Sequence, residues 1–332
     1  MKEALKKTFA LQFMGTDANA LIQLKTELNK GPGDRITFGL RQQLQGAGVQ
    51  GDATLEGNEE ALVTYSQNVT IDQLRHAVRS GGKMSEQRVP FTIRDEARDG
   101  LADWWAERID RWFFNQITGN SGQGDVRFTG MQAATAPDSG HAVYPGSEAA
   151  EASLSATTSN RFSLALIDKA VEKGKLAVNY LRPIRIGSND YLVAFLHPYQ
   201  VTALRQSLSG STQWADIQKA AIQGGQITDN PIFTGALGLY NNTILHESVR
   251  IPSALTGDAN TQVCRAVLCG AQAATMAFGR GFGKNTFSWK EELFDYENQL
   301  GVAAGCIGGL VKTRLNGSDF ATVTMSTYEV AS

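Results

Sequence analysis

The sequence predicts an α+β fold, and three features carry that expectation. Residues 91–118 have the apolar spacing of one long amphipathic helix. Segments with strand-like alternation flank it and dominate the C-terminal third, and no regular β–α–β alternation, internal repeat or coiled-coil heptad links them. A chain of 332 residues, 42% hydrophobic and 19% charged, can bury a substantial core as one large domain or two smaller ones. Its net charge of −2 exerts no global pull toward nucleic acid or an anionic membrane. The opening "MKEALKKTFALQFMG" lacks the apolar stretch of a signal peptide, and the longest apolar run, Gly301 to Val311, is too short and glycine-rich to cross a bilayer. Cys264, Cys269 and Cys306 form an odd set without metal-ligand spacing. Their apolar neighbours imply buried reduced thiols and a reducing compartment.

Residues 1–30 read as an arm followed by a short helix over "DANALIQLKTELNKG", closed by Gly31, with "GPGD" as a turn. Ile36, Phe38 and Leu40 then alternate with Thr37, Gly39 and Arg41, a half-buried strand. A second strand places Val63, Tyr65, Val69 and Ile71 on one face and Thr64, Ser66, Asn68 and Thr70 on the other. Between them lies "LQGAGVQGDATLEGNEEAL", with the glycines Gly46, Gly48, Gly51 and Gly57 and the acids Asp52, Glu56, Glu59 and Glu60. A structureless stretch of about twenty residues does not suit the inside of a compact domain. The two strands therefore read as a long two-stranded arm with a glycine-acid tip. A lone hairpin is barely stable in water and its open edges invite association, so the arm needs support, from another subunit if the rest of the chain is compact. No Lys or Arg occurs from Gln42 to Leu74, whereas Arg75, Arg79, Lys83, Arg88 and Arg94 follow. An acidic tip and a basic base suit contact between copies as well as plain solvation.

The strongest helix opens with Thr92 as N-cap and Asp95 three residues on, and stops at Gly119. Ile93, Ala97, Leu101, Trp104, Trp105, Ile109, Trp112 and Phe113 form its apolar stripe. At 1.5 Å per residue such a helix reaches roughly 39 Å, a structural spine. Asp95, Asp99, Asp103, Glu107 and Asp110 interleave with arginines as a solvated or ion-paired face, not as catalytic carboxylates. Residues 119–160 form a Gly-, Ser-, Thr- and Ala-rich excursion, followed by an amphipathic helix from Phe162 to Lys175. "YLVAFLHPYQVTALRQS" reads as a buried strand running into a helix, and "STQWADIQKAAIQ" as another helix. "GALGLYNNTILHES", "QVCRAVLCG", "NTFSWKEEL", "LGVAAGCIGGLVKTRL" and "FATVTMSTYEV" read mostly as strands.

Catalytic motifs fail on spacing. In "GRGFGKNT" three residues, not four, separate the first Gly from the Gly-Lys pair, and Asn285 follows the lysine. "HESVR" has Arg250 where a zinc-protease helix needs its second histidine. His76, His141, His197 and His246 lie on separate elements and read as capping or hydrogen-bonding residues. No enzyme activity and no cofactor or metal is expected.

Together "GPGDRITFGL", "LQGAGVQGDATLEGNEEAL", "QLRHAV", "LADWWAERIDRWFF", "YLVAFLHPYQVTALR" and "DYENQLGVAAGCIGGLVKTRLN" resemble the major capsid proteins of tailed phages, in particular the phage N-four-type family. Residues 120–160 carry no part of the resemblance. It implies the Hong Kong 97-type capsid fold: an N-terminal arm over 1–34, an extended hairpin loop over 35–82, and a peripheral domain over 83–175 with the spine helix at 91–118. An axial domain over 176–285 and returning peripheral strands over 286–332 complete it. By the same resemblance the hairpin tip (Gly46, Gly48, Gly51, Asp52, Glu56, Gly57, Glu59, Glu60) and base (Arg75, Arg79, Lys83, Arg88) make intersubunit contacts. Leu101, Trp104, Trp105, Ile109, Trp112 and Phe113 form the spine core. The implied partners are further copies of the chain in hexamers and pentamers, and packaged double-stranded DNA held without sequence specificity, with Lys2, Lys6 and Lys7 toward phosphate. Scaffolding, decoration and portal proteins are further implied partners, and no membrane is. Such a shell is assembled in the host cytoplasm and resides in the virion. An encapsulin-type nanocompartment shares the fold, and an enzyme with a pocket near His197 and His246 is the reading from another class.

Overall fold

Apolar alternation and one apolar stripe organise the described residues around two large sheets and a long helix, with Arg35–Arg41 paired to Thr64–Thr70, and Arg314–Leu315 to Ser318–Asp319, as small two-stranded sheets. The computed structural model describes residues 8–25, 33–41, 46–60, 64–130, 132–177, 179–206, 236–279 and 287–329. The described chain begins with a 3₁₀ turn, Phe9–Phe13, then β1 (Met14–Gly15) and β2 (Ile22–Lys25), followed by β3 (Arg35–Arg41), β4 (Thr64–Thr70) and β5 (Asp72–Arg79). A short helix α1 (Lys83–Arg88) precedes the long α2 (Ile93–Ile117). Next come β6 (Ala142–Val143), α3 (Leu164–Leu176), β7 (Ile184–Ile186), β8 (Asn189–Leu196) and α4 (Pro198–Gln206). Apart from a 3₁₀ turn, Asp258–Asn260, the remaining described elements are strands: β9 (Ala236–Tyr240), β10 (Thr243–Glu247), β11 (Ser253–Leu255), β12 (Gln262–Cys269), β13 (Ala274–Phe278), β14 (Phe287–Phe294), β15 (Gln299–Lys312), β16 (Arg314–Leu315), β17 (Ser318–Asp319) and β18 (Thr322–Tyr328).

One sheet runs β1-β2-β13-β15-β14, with β5 on the free side of β15. The register fixes its two faces. Leu74, His76 and Val78 stand opposite Cys306, Ala304 and Val302, which in turn stand opposite Phe287, Trp289 and Glu291. This face receives α2: Trp105 meets the Phe287 ring edge-on at 5.2 Å, and Trp104 stacks on His76 at 4.3 Å. The other sheet runs β6-β18-β12-β8-β10-β9, with β7 and β11 at its margins. It buries Leu192, Ala194, Leu196, Leu268 and Met325 beneath α3 and α4. Val193, Phe195, Val267 and Cys269 join the core shared with α2 and the first sheet.

Several expectations change here. Residues 22–25 are not helical: Ile22, Gln23, Leu24 and Lys25 pair in parallel with Ala274 to Ala277, so a sheet edge overrides local helix propensity, and residues 26–31 lie outside the described residues. The helix expected over "STQWADIQKAAIQ" and nearly all of "GRGFGKNT" also lie outside them. The two large sheets interleave along the chain. β13 pairs with β15 in the first sheet, and β18, the last described strand, pairs with β12 and β6 in the second. β5 belongs to the first sheet, so only β3 and β4 make the hairpin.

The spine helix, expected over 91–118, runs Ile93–Ile117, with Thr92 as N-cap and Gly119 in a left-handed turn (φ 64°) just beyond the C-cap Thr118. Its core is Leu101, Trp105, Ile109, Trp112 and Phe113, whereas Trp104 is only half-buried. Of the acids assigned to its solvated face, Asp110 is fully buried instead. Its carboxylate accepts the Phe9 N–H at 3.0 Å and the Ala10 N–H at 2.9 Å, and Arg250 closes on it from the other side. Burial pushes the Asp110 carboxyl up against these donors, which favour its charged form. The excursion after α2 is strapped to the helix by side chains that donate to its carbonyls: Asn115 to Phe128 at 2.6 Å and Arg108 to Thr129 at 3.1 Å.

Candidate intersubunit surfaces

The hairpin divides into a supported stem and an uncovered tip. In the stem, Arg35 stands opposite Thr70 and Arg41 opposite Thr64. Ile36, Phe38, Leu40 and Val69 sink into this chain's own core. Gln67 holds the stem down: its amide nitrogen donates to the Lys312 carbonyl at 2.9 Å and its oxygen accepts the Arg314 N–H at 2.7 Å. Close backbone approach adds to this, because a Cβ at Gly309 would sit 2.2 Å from the Thr70 carbonyl. The arm therefore leans first on its own subunit, and the demand for outside support falls on the tip alone.

At the tip, every described residue from 46 to 60 except Val49 is exposed. Leu55, an apolar side chain amid acids, is 59% exposed. The path is set by backbone: Gly51 (φ 65°) and Gly57 (φ 88°) turn in the left-handed region, with open space where a Cβ would stand. Glu60 closes the neck by accepting the Gly46 N–H at 2.6 Å, and Glu59 accepts the Gly57 N–H at 2.8 Å. These two acids thus shape the loop, whereas Asp52 and Glu56 project without an ion-pair partner among the described residues.

The basic residues expected at the hairpin base split between two elements: Arg75 and Arg79 on β5, Lys83 and Arg88 on α1, all exposed. The face of the first sheet away from α2 has three rows by register: Arg75–Gly305–Ser288, Ala77–Ala303–Lys290 and Arg79–Gly301–Glu292. The small residues of β15 let neighbouring side chains lie flat. A Cβ at Gly301 would meet the Phe294 ring at 2.6 Å, and one at Gly305 the Arg75 side chain at 2.9 Å. The Arg79 guanidinium lies 4.5 Å over that Phe294 ring. On α2, by contrast, Arg94 pairs with Glu291 at 2.7 Å and Arg111 with Glu107 at 2.9 Å within the chain.

The histidines do not converge. His246 is buried among the rings of Phe9, Phe13 and Phe195, and "HESVR" runs from the end of β10 into a turn, not along a helix. His197 caps α4 and lines a cleft of about 140 Å³ with Arg111 and Arg250. Burial holds its ring near a pKa of about 4. His141 bonds Asp138 at 2.9 Å beneath β18. All three cysteines are buried and free, with Cys264 and Cys306 pushed up to about 12 by burial, so they are packing residues. Among the described residues no group of three or more His, Cys, Asp or Glu could hold a metal ion, and no helix is long and apolar enough to cross a membrane.

Sequence reasoning missed Asp110, although Ala102, Ala106 and Asp110 recur every four residues beside the main stripe and mark a second, narrow buried row.

Comparison with known proteins places these features in context. A family model described as phage capsid protein matches residues 1–331. The major capsid protein of Pseudomonas phage KPP25 is 30% identical, with 94% of this chain and 86% of that protein covered. Among solved structures, the capsid of Ralstonia phage GP4 superposes with a TM-score of 0.88 at 32% identity, covering 98% of this chain and 92% of that one. The capsid of cyanophage Pam1 gives 0.76 at 17% identity over 99% and 94% of the two chains. The head of Helicobacter pylori phage KHP40 gives 0.71 at 16% over 98% and 91%. The fold is of the Hong Kong 97 type.

Proposed function

We propose a mode of assembly from one premise: the chain belongs to the phage capsid protein family. It is a major capsid protein of tailed phages and a component of the virion shell, a structural role that does not favour the encapsulin-type alternative. In our reading the chain forms hexamers and pentamers that close into an icosahedral shell around double-stranded DNA, after assembly in the host cytoplasm. Residues 1–34 act as the arm, laid on the edge of the α2 sheet through β1 and β2; the β3–β4 hairpin acts as the extended loop, the rest of the α2 sheet as the peripheral domain and the α3–α4 sheet as the axial domain. Scaffolding, decoration and portal proteins complete the particle.

The observation that carries this reading is the uncovered tip. Residues 46–60 hold their shape through their own backbone and through Glu59 and Glu60, yet bury almost nothing against the rest of the chain. A loop ordered without burying its surface gains nothing for its own subunit, so its contacts belong to a neighbour. Rings form where a heterologous contact repeats and the rotation closes, and a tip whose turns rest on glycine tolerates the change between five-fold and six-fold surroundings.

Deleting residues 46–60 tests this. The deletion variant is expected to stay soluble with unchanged helical circular dichroism and to yield no shells by electron microscopy. Normal shells from the variant would refute the intersubunit role of the hairpin.

A further inference from the structure

Where α2 and the excursion behind it meet the second sheet, hydrogen-bond donors gather without an acceptor. The cleft of about 140 Å³ at this junction is lined from four segments: Arg111 on α2, Gln123 in the excursion, His197 just before α4, and Arg250 in the turn after β10. No Asp or Glu lines it. Each of these side chains has one edge fixed by the protein and another left over. Arg111 gives its Nε to Glu107 at 2.9 Å and lies over the Phe128 ring at 4.3 Å, which leaves both Nη groups without a partner among the described residues. Arg250 gives Nη1 to Asp110 and keeps Nε and Nη2 in the same state. Gln123 accepts the Asp125 N–H at 3.1 Å through Oε1, so its amide nitrogen is the unused end. His197 accepts the Tyr199 N–H at 3.3 Å through Nδ1, which places its proton on Nε2. That ring is buried, and Nε2 has no acceptor among the described residues.

We infer that this cleft binds one phosphate group, either inorganic phosphate or a backbone phosphate of nucleic acid. Size sets the class of ligand: pockets for drug-sized molecules run from about 300 Å³ upward, so this one holds a single small ion. Sign is the second argument, since two guanidinium groups and no carboxylate exclude a cation. The acids behind the arginines leave the site open to an anion. Glu107 is half-exposed and spends its charge largely on water, and Asp110 divides its carboxylate among the Phe9 and Ala10 N–H groups and Arg250. Shape is the third. Donors that arrive from four separate segments suit an anion with oxygens on every side, more than a carboxylate with two. Because α2 packs on the first sheet while α4 and the turn after β10 belong with the second, a phosphate held here would tie one layer of the subunit to the other.

Phosphate titration of the full-length subunit tests the inference. Inorganic phosphate, compared with sodium chloride at matched ionic strength, should raise the unfolding midpoint along a single-site saturation curve. Arg111→Gln should move that curve to about tenfold higher phosphate, the worth of one charge-assisted hydrogen bond, and Gln123→Ala severalfold. Both side chains are partly exposed, so both variants keep the fold. Identical curves for wild type and the two variants, or an equal effect of chloride, would overturn the inference. A second readout needs no variant. In subunits labelled with ¹⁵N-histidine, the Nε2 signal of His197 should move with the same midpoint while those of His76, His141 and His246 stay in place; a stationary His197 would overturn it as well. A short DNA duplex that moves the His197 signal and competes with phosphate supports the site as one for the nucleic-acid backbone. A duplex that does neither, with phosphate still active, supports it as one for the free ion.

Discussion

Trp105→Ala is the perturbation whose cost the spine geometry fixes best. Trp105 is 3% exposed, meets Phe287 edge-on at 5.2 Å and meets Trp104 edge-on at 5.1 Å. Truncating a fully buried Trp costs about 3–5 kcal/mol, because the sheet and helix cannot both collapse into the space left behind. Trp105→Phe is the informative control. The indole N–H of Trp105 is buried with no hydrogen-bond partner among the described residues, and leaving a polar group in that state costs about 1–3 kcal/mol. Phenylalanine removes that penalty and keeps a ring against Phe287, so the two effects offset and the net change stays within about 1.5 kcal/mol. Trp104→Ala should cost about half of the Trp105→Ala loss, since Trp104 is half-buried and stacked on His76 at the margin of the core. Urea unfolding of unassembled subunits reads all three without the contribution of shell contacts. A Trp104→Ala loss equal to or above that of Trp105→Ala would refute the placement of the spine core. A Trp105→Phe loss as large as that of Trp105→Ala would show that the indole N–H is satisfied.

Other predictions probe parts that the sequence left silent. In Gly130→Ala the new Cβ would stand 1.5 Å from the Trp112 indole nitrogen, so the strap must lift from α2, and limited proteolysis should cut residues 121–135 faster than in wild type. Unchanged cleavage would mean that the strap accommodates the methyl in place. Burial raises Glu329 to about 7, above its ordinary 4.5, so its contribution to stability is full below pH 4.5 and is lost as pH rises through 7. Glu329→Gln should therefore gain on wild type across that window, reaching about 3 kcal/mol near pH 8, and parallel urea curves at pH 5 and 8 check the sign. Lys312, 1% exposed, donates to the buried Asp319 at 2.8 Å; Lys312→Met leaves that carboxylate with the more distant Arg314, at 3.3 Å, as its cation and should cost about 3 kcal/mol, with Asp319→Asn added to it recovering most of the loss in a double-mutant cycle.

The parts legible in the sequence are those whose periodicity is local. The β3–β4 register follows from alternation on both sides of a glycine-acid stretch, and α2 follows from a stripe bounded by Thr92 and Gly119. The same logic failed where a distant strand decides the local structure. Ile22 and Leu24 alternate as well as they follow a helix, and pairing with Ala274 and Met276 settles them as strand. Residues 119–137 were opaque because their order comes from Arg108, Asn115 and Gln116 donating to carbonyls, and carbonyls leave no trace in residue type. Asp110 was misread for a related reason. Its sequence neighbours are charged helix residues, while its partners are backbone amides one hundred positions away. Of the surfaces, charge order revealed the opposed tip and base, but only strand register reveals that Lys290 joins Arg75 and Arg79 on one face.

Strand β15 gives the subunit a stiff lever. Over Gln299–Lys312 it is hydrogen-bonded first to β14 and β5 and then to β13, and at Gly309 it carries the backbone of the hairpin. A force on the hairpin enters β15 at Gly309 and reaches the face bearing Arg75, Arg79 and Lys290 along one unbroken strand, with no loop to absorb it. Displacement at the part of the subunit that reaches outward is thus felt at the far end of the same sheet. In a ring of such subunits strain would be shared around the circle instead of gathering at one joint.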